Sequence, residues 1–187
     1  MKEHEEALFN YINSINPVSR DWFEELYKQV VFRNYSKGDL FIEQGKPDQY
    51  EYFLIEGVCR SFLRNAENEE VTISFFTAVS FLSPSSIRIA NGISQFSYQA
   101  LTDVTMGCIE ARSFLNLMMH ISEIRAFRNA MLHHELIQKV EKEVSLVQHN
   151  PKERVQYFRK NFPTLEHLIA HSIIASYLGI DESELNQ

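Results

Sequence analysis

From residue 31 to residue 110 the chain is written in short β-rich runs separated by turn residues, and this pattern restricts its fold more than any other. The runs fall at 31–35, 40–43, 51–56, 58–64, 71–76, 95–101 and 104–109. Between them stand Lys37-Gly38-Asp39, the stretch from Gln44 to Asp48 with Gly45 and Pro47, Glu56-Gly57, the polar residues 65–70, and Asn91-Gly92. Gly, Pro, Asn and Asp punctuate because they accept the backbone angles that turns need. Many short strands at such close spacing argue for an antiparallel sandwich or barrel.

Helical texture flanks this region. In residues 4–30, Leu8, Tyr11, Ile12 and Ile15 repeat at helix spacing, Asn16-Pro17 breaks the run, and Trp22, Phe23, Leu26 and Val30 resume it. Helix returns from Ser113. After Ser122, an expected N-cap, apolar residues fall at Ile124, Phe127, Met131, Leu132, Leu136, Val140, Val144 and Val147, mostly three or four apart, until Asn150-Pro151. That predicts a helix of roughly 25 residues, near 40 Å long at about 1.5 Å per residue. Its apolar surface is two-sided, so one side can lie on the β-region and the other on a twin copy. A coiled-coil-like homodimer is the expectation, and a helix packed wholly within one chain is the alternative. A fresh helix with Val155, Tyr157 and Phe158 starts at Asn150-Pro151 and ends at Phe162-Pro163.

The last residues read as a helix-turn-helix. Ser172 is the expected N-cap, Ile173, Ile174, Tyr177 and Leu178 form the apolar face, and Gly179 makes the turn. Ile180 can fill the gap between the helices, and Asp181 restarts the helix with Glu182 and Glu184 in its first turn. About a turn and a half of second helix follows, with no Lys or Arg. Short helix pairs of this kind also occur in plain globular cores.

Composition suits one full domain with a small appendage: 187 residues, 44% apolar, 14 Phe. The two cysteines, Cys59 and Cys108, each sit in a strand-like run, which predicts buried free thiols in a reducing compartment. No apolar run reaches membrane-span length and the start is unlike a signal peptide, so the expected location is cytoplasmic, with no membrane partner. The net charge of −7 lies wholly in residues 1–110, with 9 basic and 16 acidic residues, while residues 111–187 hold 9 of each. Charge alone therefore argues mildly against strong DNA binding, which rests on Lys and Arg neutralising phosphates.

Enzymatic chemistry lacks its parts. No histidine occurs between His4 and His120, so the β-region lacks the nitrogen ligands of a metal-dependent cupin. His167 and His171 are four apart without the carboxylate of a His-Glu-x-x-His pattern, and His133 and His134 are adjacent and diverge. Neither cysteine has a helix N-terminus or local histidine to activate it. Phosphate loops and nucleophile elbows are absent. No catalytic residue, metal or cofactor is expected.

Residues 35–45, with Gly38 and Gly45, followed by residues 52–60 with Gly57, resemble the opening of a cyclic-nucleotide-binding β-roll. Together with the long helix, the segment from Asn150 to Arg154 and residues 174–180, they make nearly the whole chain similar to the Crp–Fnr family of bacterial transcription regulators. More narrowly, residues 98–101 and 174–180 resemble the branch common in Bacteroidetes-type bacteria. The resemblance implies an α+β fold with N-terminal helices, an antiparallel β-roll (a double-stranded β-helix), a long dimerisation helix and a small C-terminal helix-turn-helix remnant. It divides the chain into a β-roll effector domain with its N-terminal helices at 1–121, a dimerisation helix at 122–149 and a truncated winged helix-turn-helix at 150–187.

Two departures from the family follow. Members that bind cyclic nucleotide carry a glycine–glutamate pair for the ribose and an arginine for the cyclic phosphate, a charge-assisted bond that a neutral residue cannot replace. Here Ser83-Pro84 and Ser94-Gln95 fall at those places, and Arg88 lies between them. The expectation is a pocket that does not take cyclic AMP or GMP. Ser83, Ser85, Ser86, Arg88, Ser94 and Gln95 are candidates to bind another small molecule, or the loop is filled, with Phe75, Phe81 and Phe96 blocking the pocket. Second, the branch places a serine and an arginine where this chain has Asn186 and Gln187. Ser183, Asn186 and Gln187 are the candidate DNA contacts, Asn and Gln being able to pair with adenine. The implied function is an effector-responsive transcription regulator acting as a homodimer on DNA. The alternative is a dimeric β-roll that senses a ligand or protein partner and has lost DNA binding.

Overall fold

The structure, a computed structural model, describes residues 2–82 and 92–186, the side chain of Asn186 excepted. Two helices, α1 (Lys2–Ile15) and α2 (Arg20–Tyr27), precede eight strands. These are β1 (Val31–Tyr35), β2 (Leu40–Ile42), β3 (Tyr50–Glu56), β4 (Val58–Arg64), β5 (Glu70–Thr77), β6 (Ser80–Leu82), β7 (Ser97–Ala100) and β8 (Val104–Glu110). Helices α3 (Ala111–His120), α4 (Ser122–Gln148), α5 (Pro151–Asn161) and α6 (His171–Leu178) follow, with single 3-10 turns at Leu165–His167 and Glu182–Asn186.

The strands form two four-stranded antiparallel sheets, ordered β1-β8-β3-β6 and β2-β7-β4-β5. Alternation along each strand sends one set of side chains into the space between the sheets. Ile42, Tyr52, Leu54, Cys59, Tyr98, Ala100, Met106 and Cys108 meet there. Both thiols are free and buried. The β3–β4 turn depends on Gly57, whose φ of +90° favours glycine, and a Cβ there would overlap the Asp103 carbonyl. The expected antiparallel β architecture is present, with a short additional strand, β6, that its three residues had hidden.

A second core joins the N-terminal helices to the outer face of the first sheet. Leu8, Ile12, Trp22, Phe23 and Leu26 pack with Phe53, Phe81, Phe114, Ile124 and Phe127. The rings of Phe81 and Phe127 lie 5.6 Å apart, and the Tyr11 hydroxyl accepts the Phe81 N–H at 3.0 Å. Each fully buried phenylalanine stabilises the fold by about 1.5–3 kcal/mol. A third cluster ties α5 and α6 to β5: Phe75 lies 6.0, 5.9 and 4.9 Å from the rings of Phe158, Phe162 and Tyr177.

Two expected caps and one expected helix differ. Ser122 is the first residue of α4 rather than its cap, and its hydroxyl donates to the Glu123 carboxylate. Ser172 lies inside α6, which Ala170 precedes as cap. After Gly179 (φ +61°) the chain forms a 3-10 turn instead of a second α-helix. There the Asp181 N–H donates to the Glu184 carboxylate at 2.8 Å. By contrast, Asn150 caps α5 as read from the sequence, in a reciprocal box with Glu153 and with Pro151 in the first turn. Among the described residues no helix is long and apolar enough to cross a membrane, and no group of three or more His, Cys, Asp or Glu gathers to hold a metal.

Candidate effector cleft and C-terminal helices

A cavity of about 170 Å³ opens between the second sheet and α4. The sheet contributes Ser61 from β4, Ser74 and Phe76 from β5, and Tyr98 from β7, with Phe96 just before β7. Register explains the row, since Tyr98 pairs with Ser61 and Ser61 pairs with Ser74 across three strands. Helix α4 presents Glu135, Gln138, Lys139 and Lys142, and the far wall is Tyr157, Phe162 and Tyr177 from the C-terminal helices and the residue after α5. The cleft thus touches three parts of the chain at once. Its lining mixes aromatic rings with hydroxyl, carboxylate, amide and ammonium groups.

Charge in the cleft is held in tension. Burial raises the Glu135 carboxyl above its usual range, Lys139 and Arg128 pull it down, and Glu51 adds to the rise. The Tyr98 hydroxyl is pushed up by burial and, after that, by the Glu135 charge. Burial lowers the Lys142 ammonium to about 8. Its Nζ nonetheless donates to the carbonyls of Thr72 at 3.2 Å and Ile73 at 2.9 Å, and lies 3.9 Å from the centre of the Tyr177 ring. Those contacts favour the charged form and offset part of the burial cost.

On the opposite face of the same sheet, Arg60 is buried. Its guanidinium donates to Gln99 Oε1 at 3.0 Å and Thr72 Oγ1 at 3.1 Å, pairs with the Glu70 carboxylate, and lies over the Phe62 ring. All these partners are protein groups, so Arg60 braces β4, β5 and β7 together.

The residues expected to bind an effector divide. Ser83, Ser85, Ser86 and Arg88 lie outside the described residues. Ser94 is buried, its hydroxyl donates to the Phe96 carbonyl at 2.7 Å, and its N–H donates to Lys46. Gln95 is exposed, and neither residue lines the cleft. Of the three phenylalanines expected to block the pocket, Phe81 belongs to the helical core, while Phe75 and Phe96 line a cleft that remains open. The cleft residues Ser61, Ser74, Glu135 and Lys142 were missed. Their one sequence signal is a polar residue where a neighbouring strand or helix position calls for an apolar one.

The expected dimer stripe also divides. Ile124, Phe127 and Met131 are buried in the chain's own core and present nothing to a partner. Leu132 is half-buried, while Leu136, Val140, Val144 and Val147 are open to solvent in a single chain. Ile137 joins the open set. Of the candidate DNA contacts, Ser183 is exposed, and the Asn186 side chain and Gln187 lie outside the described residues.

This geometry, a β-roll with a cleft closed by a long helix and a small helical unit beyond it, is shared with solved bacterial proteins, one of them described as a putative regulator of the Crp/Fnr family. Residues 32–120 match the family model described as "Cyclic nucleotide-binding domain". FixK2 from Bradyrhizobium japonicum superposes with a TM-score of 0.74 at 16% identity, over 84% of this chain and 81% of that one. The global regulator CLP of Xanthomonas campestris, described as c-di-GMP responsive, does so at 0.74 and 12% identity, over 90% and 88%. A putative transcriptional regulator of the Crp/Fnr family from Eubacterium rectale gives 0.73 at 14%, over 90% and 81%. At these identities the shared property is the fold. Among curated proteins, none matches the sequence.

Proposed function

We propose that the chain is an effector-responsive transcription regulator of the Crp/Fnr type that works as a cytoplasmic homodimer and has no enzymatic activity. In this reading residues 1–121 sense, 122–149 dimerise and 150–187 bind DNA. The observation that carries it is the inverted polarity of the second half of α4. Lys142 and Ser145 face the protomer, whereas Leu136, Val140, Val144 and Val147 face outward. A helix exposing apolar residues over three turns asks for a cover, and a second α4 supplies one of matching length. The cleft on its other flank supports an effector site. Cyclic AMP and GMP are not its expected occupants, because Ser83-Pro84 and Ser94-Gln95 stand where nucleotide-binding members carry the glutamate and the arginine.

A second reading has its own support. Residues 161–187 hold no Lys or Arg, and the stretch after Gly179 carries Asp181, Glu182 and Glu184. Such a surface repels phosphates, which favours a dimeric sensing module without DNA binding. Fluorescence anisotropy against random and promoter-derived duplexes, at roughly 50 and 200 mM salt, separates the two. Salt-sensitive binding that prefers one duplex supports the regulator. A folded dimer that binds neither duplex at low salt overturns DNA binding and leaves the sensing module.

A further inference from the structure

Two histidines of α4, His133 and His134, belong to neither the cleft nor the core. Both are exposed, and among the described residues no side chain bonds to either. The spacing of the open apolar residues gives His133 a setting. Ile137, Val140, Val144 and Val147 are exposed and step by three, four and three, the alternation of coiled-coil seam positions. Continued toward the start of the helix, the same alternation reaches His133, Ala130 and Ala126, each exposed or half-buried in the single chain. The buried Ile124, Met131 and Ser145 and the half-buried Glu135 and Lys142 fall on the other side of the helix. A stripe therefore runs from Ala126 to Val147 with its back to the β-roll, and His133 is its one polar member.

The occupant this stripe fits is a second copy of itself. A polar residue in a seam costs stability unless it meets a polar partner, and in doing so it selects one register. Antiparallel pairing, or a slip by one repeat, sets each His133 ring against a valine or an alanine. Parallel, in-register pairing sets ring against ring, where a neutral imidazole offers one donor and one acceptor. The flanks agree with that arrangement. It brings Asn129 beside His134 of the partner, Leu136 beside Glu141 and Glu143 beside Gln148, with no like charges opposed.

We propose that His133 is the register-setting residue of the α4 seam, that it meets His133 of a second copy on the dimer axis, and that this layer makes the dimer sensitive to protons. The inference rests on the homodimer reading above. One turn away on its own helix stand Asn129, Ala130, Leu136 and Ile137, all uncharged, while Arg128 and Glu135 lie on the far side. Helix α1 meets α4 at Phe127 and Met131 and α3 meets it at Arg125, away from this ring. Across the axis it faces the twin His133, with His134 of both copies at the flanks. Protonation then sets two like charges in an apolar seam with no carboxylate beside them. Histidine ordinarily titrates near about 6.5, so the stability of the dimer is full above that value and is lost as pH falls through it.

Sedimentation equilibrium of the full chain at about pH 8 and about pH 6 tests this without DNA or ligand. Dimer affinity is expected to fall at least about threefold between the two in wild type and in His134→Gln, and to stay constant in His133→Val. Ala130→Cys, at the next seam position, is expected to give a disulfide-linked dimer under mild oxidant. Antiparallel pairing over the same stretch would hold those two thiols roughly 25 Å apart. Wild type is the control for that reaction, since Cys59 and Cys108 are buried. Circular dichroism verifies that each protein stays folded at both pH values. An affinity that ignores pH, a pH effect that survives in His133→Val, or a missing cross-link overturns the proposal and leaves the homodimer standing. A wild type that is monomeric at both pH values overturns both.

Discussion

In the first half of α4, Ile124, Phe127 and Met131 are sealed in the chain's own core, with at most 6% of each exposed. In the second half of the same helix, Leu136 is 60% and Val147 82% exposed, although the apolar spacing is unchanged. What differs is the cover. The first half lies under α1 and against Phe53 and Phe81, where aromatic residues from three elements converge. The second half meets the bulged margin of β5, whose carbonyls take the Lys142 ammonium, and the start of the C-terminal unit, where the Ser145 hydroxyl meets the His149 ring. Lys142 and Ser145 therefore face inward and the valines face out. A hydrophobic period defines a face of a helix; which body covers that face is decided by what the rest of the chain brings to it.

The strongest way to break this comparison is to treat the halves alike. Phe127→Ala should cost about 3–5 kcal/mol in denaturant unfolding, because it empties a site packed against Phe53 and Phe81. Val147→Ala should change the stability of the isolated protomer by less than about 0.5 kcal/mol. Comparable losses at both positions would mean that the second half has a cover within the protomer. The paired change Val140→Asp with Val144→Asp should convert a dimer into a folded monomer, read by light scattering with helix content retained. Wild-type protein that is monomeric at micromolar concentration would remove the twin helix as the cover.

The smallest expected effect is electrostatic. Lys142 is lowered by burial to about 8 from an ordinary value of 10.5. Its contribution to stability is thus present above about pH 10.5 and is lost as pH falls through 8, where folding must keep a buried charge. The thiols run the other way. Burial raises Cys108 to about 11 and Cys59 further, so their contribution is present below their ordinary value of 9.0 and fades as pH rises through the folded values. The difference in unfolding free energy between wild type and Lys142→Met cancels the thiols and should rise from pH 7.5 to 10. A flat difference would show that the carbonyl bonds and the Tyr177 ring hold Lys142 at its ordinary value.

Much of the fold was legible in the chain. Gly38, Gly45, Gly57 and the runs between them marked an antiparallel sandwich or barrel, and Asn150-Pro151 marked the start of α5. The candidate site was not legible in the same way. Ser94 was a plausible ligand contact by position, yet its hydroxyl is spent on the Phe96 carbonyl, a local turn that no periodicity announces. Ser61, Ser74, Glu135 and Lys142 lie far apart in sequence and meet only because β4, β5 and α4 converge.

The sequence by itself determined the order of elements, the antiparallel β-region, the buried thiols and the length of α4. Each follows from local backbone preference or from a hydrophobic period, and both are properties of neighbouring residues. Only the tertiary structure decided which half of α4 is core, that Ser176 and Lys142 bond to the β5 bulge, and that Arg154 ties the ends of α4 and α6 together. Those outcomes depend on backbone groups left over after the sheets and helices have formed. Such groups belong to no single segment, and the chain reveals their partners only once its distant parts are packed together.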